Sequence, residues 1–122
     1  MILVNAYYKV TVTTEYAPFP KEHAVLYRPD GLRSDDFCSA RLIHVEPADG
    51  RTFSVALQDS VLSSAEPCAV LEDGMLTVIL YHTILRIDLH TLAVAQCIEC
   101  ENMGGLEQIH PLPRGYLIKG EY

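Results

Sequence analysis

The sequence is poor in positive charge, and this shortage excludes a class of partner. Nine Lys and Arg residues stand against 16 Asp and Glu residues, so the formal net charge is −7. The basic residues form no stripe along the chain, whereas proteins that bind the nucleic-acid backbone concentrate them. We therefore expect no nucleic-acid partner, and the excess of acidic groups mainly favours solubility.

Long apolar runs and a basic leader are also missing. No apolar run is long enough to cross a bilayer, so no membrane association is expected. The first residues, MILVNAYYKVTVTTEY, carry neither the basic flank nor the continuous apolar segment of a secretory signal. These features predict a cytoplasmic protein in which Cys38, Cys68, Cys97 and Cys100 stay reduced.

Sustained helical periodicity is absent as well, and the alternation typical of β-strands is present instead. The chain has 122 residues, 49% of them hydrophobic, which is the size of one domain spanning residues 1–122. The predicted fold class is all-β, an antiparallel meander of short strands with little helix.

The segment Met75–Glu101 organises this meander, because its pattern predicts three strands joined by two short turns. Residues 84–90 alternate strictly, which predicts a half-buried strand. If His82-Thr83 is a two-residue hairpin loop, Tyr81 pairs with Ile84 and Thr77 with Asp88. The other face then carries six aliphatic side chains that we expect in the core: Leu76, Val78, Leu80, Leu85, Ile87 and Leu89.

The rest of the chain predicts further short strands. Residues 2–14 form one long strand or two strands with a bend near Asn5, and residues 38–57 form a hairpin around a loop at 46–50. The remaining strands are expected at 23–28, 67–71, 106–110 and 116–122, with turns at 29–31, 72–74 and 111–115.

Two of the turns, Asp73-Gly74 and Arg114-Gly115, indicate an internal repeat. They lie 41 residues apart, and each precedes an apolar strand. The intervening segment, ILRIDLHTLAVAQCI, resembles the strand–turn–strand of WD40-like β-propeller repeats, except that Leu92 stands where those repeats usually place Gly. The resemblance covers residues 66–122 and implies a blade-like unit at 66–101 with a partial second unit at 106–122.

The length limits what such a repeat can build. At most about three blades of roughly 40 residues fit into the chain, whereas a closed propeller needs four or more. Three architectures remain open: a β-sandwich or partly open barrel, a blade fragment completed by oligomerisation, and a propeller-like sheet packed on a separate N-terminal sheet.

Metal and redox chemistry have one candidate motif, the CxxC formed by Cys97 and Cys100. On a regular strand, residues at i and i+3 point to opposite faces, and no second ligand pair follows in the sequence. Buried thiol packing is the favoured interpretation. No metal ligand, cofactor or catalytic residue is predicted, because the five histidines are isolated from one another. These histidines are His23, His44, His82, His90 and His110.

The other polar residues favour ordinary surface roles. Thr77, Arg86 and Asp88 are expected to form a cross-strand polar cluster on a solvated face. The serines at positions 60, 63 and 64 lack a nucleophile-elbow setting, and the adjacent carboxylates at 35–36 and 72–73 diverge.

The favoured functional hypothesis is a small non-enzymatic protein that binds a protein partner or itself, with homo-oligomers formed through edge strands. One alternative is a ligand-binding or enzymatic domain whose pocket, near the 75–101 hairpin, is lined by His82, Asp88, Arg86 or Cys97. A second alternative, an acidic inhibitor of a basic protein, rests on net charge alone. Exposed aromatic residues would mark an interface, and the candidates are Tyr7, Tyr8, Tyr16, Phe19 and Tyr27.

Overall fold

The computed structural model describes residues 1–16, 24–31 and 39–121, and this part of the chain is all-β. The strands are β1 (Ile2–Val4), β2 (Tyr8–Tyr16), β3 (Ala24–Tyr27), β4 (Ser39–Pro47), β5 (Phe53–Asp59), β6 (Ala69–Glu72), β7 (Met75–Ile79), β8 (Thr83–Asp88), β9 (Ala93–Glu99), β10 (Leu106–Leu112) and β11 (Gly115–Gly120). One turn of 3-10 helix, Glu101–Met103, follows β9. The predicted fold class is therefore confirmed, whereas Phe19, His23, Asp35, Asp36 and Cys38 lie outside the described residues.

The strands form three sheets. The first has the order β1-β2-β4-β5-β3, the second has the order β6-β7-β8-β9, and the third is the hairpin of β10 and β11. All pairings are antiparallel except that of β3 with β5, which is parallel. The second sheet is a simple meander because short turns join its consecutive strands.

The first sheet begins with a tight hairpin. The Asn5 side-chain oxygen accepts the backbone N–H groups of Tyr7 and Tyr8, both at 2.9 Å, and this turns the chain between β1 and β2. The two-strand interpretation of residues 2–14 is thus the correct one. The predicted 38–57 hairpin is also confirmed, since β4 and β5 pair from Ser39–Asp59 to Val45–Phe53.

The β7–β8 hairpin has the predicted core face but a different register. Leu76, Val78 and Leu85 are fully buried, as are the other three predicted aliphatic residues. However, Ile79 pairs with Ile84 and Thr77 with Arg86, which is two residues away from the predicted pairing. The Leu80 N–H donates to the Thr83 carbonyl at 2.7 Å, so the loop residues are Tyr81 and His82 rather than His82 and Thr83. A two-residue slip leaves each side chain on the same face of the sheet. The predicted core residues are therefore correct although the predicted loop residues are wrong.

Contacts of two tyrosines show which layer covers each face of the second sheet. Tyr27 of β3 interacts with Thr83 and Cys97, so the face carrying these residues and Leu85 points towards the first sheet. On the opposite face, the Thr77 and Tyr116 hydroxyl groups hydrogen bond at 3.2 Å. The β10–β11 hairpin therefore covers the Thr77 face, and the second sheet is the middle of three layers.

Side chains from all three layers meet in one large core. It includes Val10 and Ile43 of the first sheet, Val78 of the second and Ile109 of the hairpin, all at most 1% exposed. At roughly 1.5–3 kcal/mol for each fully buried aliphatic side chain, this shared core is the main stabilising feature of the fold.

The C-terminal hairpin corrects one predicted turn. β10 extends to Leu112 and β11 starts at Gly115, so the turn is Pro113-Arg114 and not the longer segment 111–115. Pro111 lies within β10 opposite Tyr116. The N–H of the neighbouring Ile109 points away from β11 and donates to the Pro67 carbonyl. Pro111, two residues along on the same edge, needs no hydrogen bond to β11, which is why a proline fits there.

Leu92 has the backbone conformation of a glycine position. Its φ is 54°, in the left-handed region that favours Gly. This is the residue that stands where WD40-like repeats usually place Gly. The resemblance of residues 66–122 to such repeats stays a prediction. In this fold the four-stranded meander shares its core with the N-terminal sheet.

Candidate functional site: the cavity at the end of β9

Asp59, the last residue of β5, is a buried carboxylate at the edge of the two main sheets. The alternation of β5 places Asp59 on the same face as Val55 and Leu57, and it is only 5% exposed. One carboxylate oxygen accepts the Ser60 N–H at 2.8 Å, and the other accepts the Tyr81 N–H at 3.0 Å. Asp59 thereby ties β5 to the β7–β8 loop.

A cavity of about 330 Å³ opens beside this carboxylate. It lies where the ends of β5 and β9, the β7–β8 loop and the residues after β3 converge. Its described lining residues are Pro29, Asp59, Ser60, Tyr81, His82, Thr83, Glu99 and Glu101. A volume of this size suits a small ligand or one long side chain.

The lining of this cavity is acidic. Asp59, Glu99 and Glu101 contribute three carboxylates, and the described lining contains neither Lys nor Arg. Glu99 and Glu101 are exposed. The cavity is therefore electrostatically suited to a cation.

An aromatic pair forms one wall. The Tyr81 and His82 rings lie 4.0 Å apart between centroids and are tilted by 56°. His82 Nδ1 lies 3.1 Å from the Gly104 carbonyl, which holds the imidazole against the segment after β9. The faces of such rings, together with carboxylates, are the usual surroundings of a bound ammonium or guanidinium group.

Tyr27 and Cys97 lie next to the cavity. Burial raises the pKa of the Tyr27 phenol, and the neighbouring Cys97 raises it further, whereas the hydrogen bond with Thr83 opposes the rise. The phenol therefore stays neutral at physiological pH. Cys97 itself is exposed and Cys100 is half-buried, so the prediction that both thiols are buried is wrong. The cause is that β9 is an edge strand.

The backbone of β9 presents unused hydrogen-bonding groups next to the cavity. The Cys100 N–H donates to the His82 carbonyl at 2.7 Å, which places the hydrogen bonds to β8 at residues 96, 98 and 100. In an antiparallel pair the intervening residues direct their backbone groups to the other side. The N–H and C=O groups of Cys97 and Glu99 consequently point outwards, where β9 has no paired strand among the described residues.

A second polar centre, Arg41, lies inside the core and is fully buried. Its Nε donates to the Ile79 carbonyl at 3.1 Å, and its Nη1 donates to Thr14 Oγ1 at 2.5 Å and to the Ser63 carbonyl at 2.6 Å. Its Nη2 has no hydrogen-bond partner among the described residues. Burial lowers the pKa of Arg41. These contacts join both main sheets to the segment after β5, so the role of Arg41 is structural.

Cys68 lies near Arg41 and is buried. Burial raises the pKa of this thiol, although Arg41 opposes the rise. The thiol is therefore protonated at neutral pH and is a poor nucleophile. A smaller cavity of about 240 Å³ lies beside Cys68, with Thr14 and Ser64 also in its wall.

The predicted polar cluster on β7 and β8 does not form. The Thr77 hydroxyl bonds with Tyr116, and Asp88 Oδ1 accepts the N–H groups of His90 and Thr91 in the β8–β9 turn. Arg86 instead contacts the Gln96 side-chain oxygen at 3.5 Å. The register places Asp88 opposite Met75 instead of Thr77, and the β10–β11 hairpin rather than solvent covers the face that carries Thr77.

Of the four residues expected around a pocket, the structure brings His82 to the cavity. Arg86, Asp88 and Cys97 are not among its described lining residues. His90 lies at the other end of β8. His44 forms a hydrogen bond with Ser54, and His110 forms one with Gln108. In the described part of the chain, no group of three or more His, Cys, Asp and Glu side chains could hold a metal ion.

Comparisons with known proteins do not assign a family. No protein-family model matches the chain, and neither a curated protein nor a solved structure matches it. Within residues 1–16, 24–31 and 39–121, no helix is long and apolar enough to cross a membrane.

Three residues that line the cavity, Asp59, Glu99 and Glu101, were not identified from the sequence. The sequence does carry a signal for Asp59. The alternation of Phe53, Val55 and Leu57 continues to Asp59, so a carboxylate on the buried face was foreseeable. Glu99 and Glu101 have no such signal, because their approach to Asp59 depends on how two sheets pack.

Proposed function

We propose that this protein is a non-enzymatic interaction module that binds an extended segment of a partner protein along the outer edge of β9. The single observation that supports it is the exposure of this strand. Six of the seven residues of β9 are exposed, and its outer edge has no neighbouring strand among the described residues. Addition of a strand to such an edge is a common mode of peptide recognition.

The composition of β9 distinguishes it from the other edge strands. Proteins protect free edges with lysines, prolines or short strands. β1, β3 and β6 have only three or four residues, β10 contains Pro111, and β11 carries Lys119. β9 is seven residues long and has no Lys, Arg or Pro, although a bulge interrupts it at Ala95. Residues 96–99 therefore form the straight part of the edge that a partner strand can pair with.

Selection of displayed random peptides tests this proposal. We expect enriched peptides that bind the wild-type protein and slow amide hydrogen exchange at Cys97 and Glu99. In the Cys97→Pro variant one outward N–H group is lost, and binding should weaken at least tenfold. The matched control is Cys97→Ala, which removes the thiol but keeps the N–H group, and it should bind as the wild type does.

Two results would contradict the proposal. One is a selection that enriches no binder, and the other is a set of binders that Cys97→Pro leaves unaffected. Sedimentation of the free protein completes the test. A dimer that Cys97→Pro dissociates would identify the added strand as a second copy of this chain.

The cavity supports a second candidate function, the binding of a small cationic ligand. Its volume of about 330 Å³ and its three carboxylates favour an amine. Titration with small primary amines, followed by the amide signals of Tyr81, Thr83 and Glu101, would test it. Saturable shifts confined to these residues are the expected result, and their absence would remove this candidate.

A further inference from the structure

The cavity and the β9 edge are parts of one surface, and their geometry links them. Thr83 and Glu99 pair directly across β8 and β9, and both line the cavity. Directly opposed residues of an antiparallel pair carry their side chains on the same face of the sheet. The cavity therefore lies on the face of the sheet to which Glu99 directs its side chain.

An antiparallel strand added to β9 would continue this alternation. The outward N–H and C=O groups of Glu99 would bond with one partner residue, and the side chain of that residue would share the face of Glu99. It would thus point to the cavity, whereas the side chains of the two adjoining partner residues would point to the opposite face. One position of the partner strand is in this way directed at Asp59, Glu99 and Glu101.

We propose that the cavity selects a lysine or arginine side chain at the position of the partner strand opposite Glu99. This inference rests on the proposed binding of a strand to β9, and it names the chemistry that gives this binding its specificity. Charge complementarity supports this selection of a basic side chain, because the described lining holds three carboxylates and no basic residue. The Tyr81 and His82 rings flank the site with an aromatic wall.

The three carboxylates differ in burial and therefore in how each can interact with a cationic side chain. Asp59 is 5% exposed and both of its oxygens already accept backbone N–H groups, so it contributes mainly negative charge. Glu99 and Glu101 are exposed, and no hydrogen bond or ion pair of their side chains occurs among the described residues. They are the groups that can close directly on a cationic side chain.

The test compares selected peptides with single-residue variants of each peptide. We expect the enriched peptides to carry Lys or Arg at one fixed position. Replacing that residue by Ala should weaken binding roughly tenfold to a hundredfold, the range for a charge-assisted hydrogen bond. The E99Q/E101Q double variant should abolish this preference but bind the Ala-substituted peptide as the wild type does.

The control variant is E72Q/D73N, which removes two negative charges at the β6–β7 turn, at the opposite end of the sheet from Thr83 and Glu99. It should keep the full preference for the basic residue. An equal loss in E72Q/D73N would show that the preference reflects net charge, and it would overturn the inference.

The remaining outcomes separate the two proposals. Peptides that protect Cys97 and Glu99 but show no preference for a basic residue would overturn the cavity inference and leave strand addition intact. A selection without binders would overturn both. Free n-butylamine that binds as tightly as the basic peptides would show that the cavity recognises a small amine and would also overturn the inference.

Discussion

Arg41 and Asp59 show how this fold accommodates charged side chains inside its core. Each is at most 5% exposed, and each hydrogen bonds with backbone groups of neighbouring segments. Arg41 satisfies the carbonyls of Ile79 and Ser63, whereas Asp59 satisfies the N–H groups of Ser60 and Tyr81. These backbone groups belong to irregular segments and strand ends, where the sheets offer them no ladder partner.

Replacement of Arg41 should reveal this structural role. Arg41→Met keeps an unbranched side chain but removes the guanidinium group, which leaves two carbonyls and the Thr14 hydroxyl without their donor. We expect a loss of about 2–4 kcal/mol in the free energy of unfolding, because unpaired buried polar groups are costly. Urea unfolding followed by circular dichroism measures this loss.

Arg86→Met is the matched control for Arg41→Met. Arg86 is half-buried, and its one side-chain hydrogen bond within the described part of the chain is a long one, 3.5 Å to Gln96. Its replacement should cost less than about 1 kcal/mol. Equal losses in the two variants would contradict the view that the hydrogen bonds of Arg41 hold the sheets together.

At the scale of elements, β8 and β9 are neighbours with opposite environments. β8 is covered on both faces, by the first sheet and by the β10–β11 hairpin, and four of its six residues are buried. Among the described strands β9 pairs with β8 alone, and none of the residues of β9 is fully buried. Both strands have an apolar sequence, so hydropathy alone does not separate the central strand from the edge.

Two proline substitutions in β9 test which of its backbone groups face outwards. Ile98→Pro removes an N–H group that bonds to β8, whereas Cys97→Pro removes one that points away from it. We expect Ile98→Pro to lower the free energy of unfolding by at least about 2 kcal/mol more than Cys97→Pro. Thermal unfolding of both variants measures the difference, and the reverse order would refute the assigned hydrogen-bond pattern.

The whole molecule depends on a core that no single sheet completes. The aliphatic face of β7 and β8 packs under the first sheet, and their Thr77 face packs under the hairpin. The four-stranded meander is thus stabilised on both sides by segments distant in sequence. A repeat unit that folded independently would not need this cover.

A fragment that contains only residues 66–122 should therefore fail to fold. Without the first sheet, Leu76, Val78 and Leu85 would lose the layer that buries them, and a small sheet with an exposed apolar face is unstable. We expect poorly dispersed amide spectra and no cooperative urea transition for the fragment. Well-dispersed spectra would instead show that the unit resembling a propeller blade is autonomous.

The fold could be predicted from the sequence wherever the pattern of neighbouring residues is decisive. The period of two at residues 84–90 assigned the core face of β8, and Asp73-Gly74 marked a turn that the structure contains. The register of β7 and β8 could not be predicted in this way. Slips by two residues leave every side chain on the same face, and the Tyr81-His82 loop has no strong turn residue.

The candidate site depended on tertiary structure almost entirely. Asp59 and Glu99 are 40 positions apart in sequence, and only the packing of two sheets brings them to one cavity. The sequence by itself determined the strands, their faces and the excess of negative charge, because these follow from local pattern and composition. Tertiary structure decided which strand became an exposed edge and which carboxylates met beside it, because both depend on contacts between segments distant in the chain.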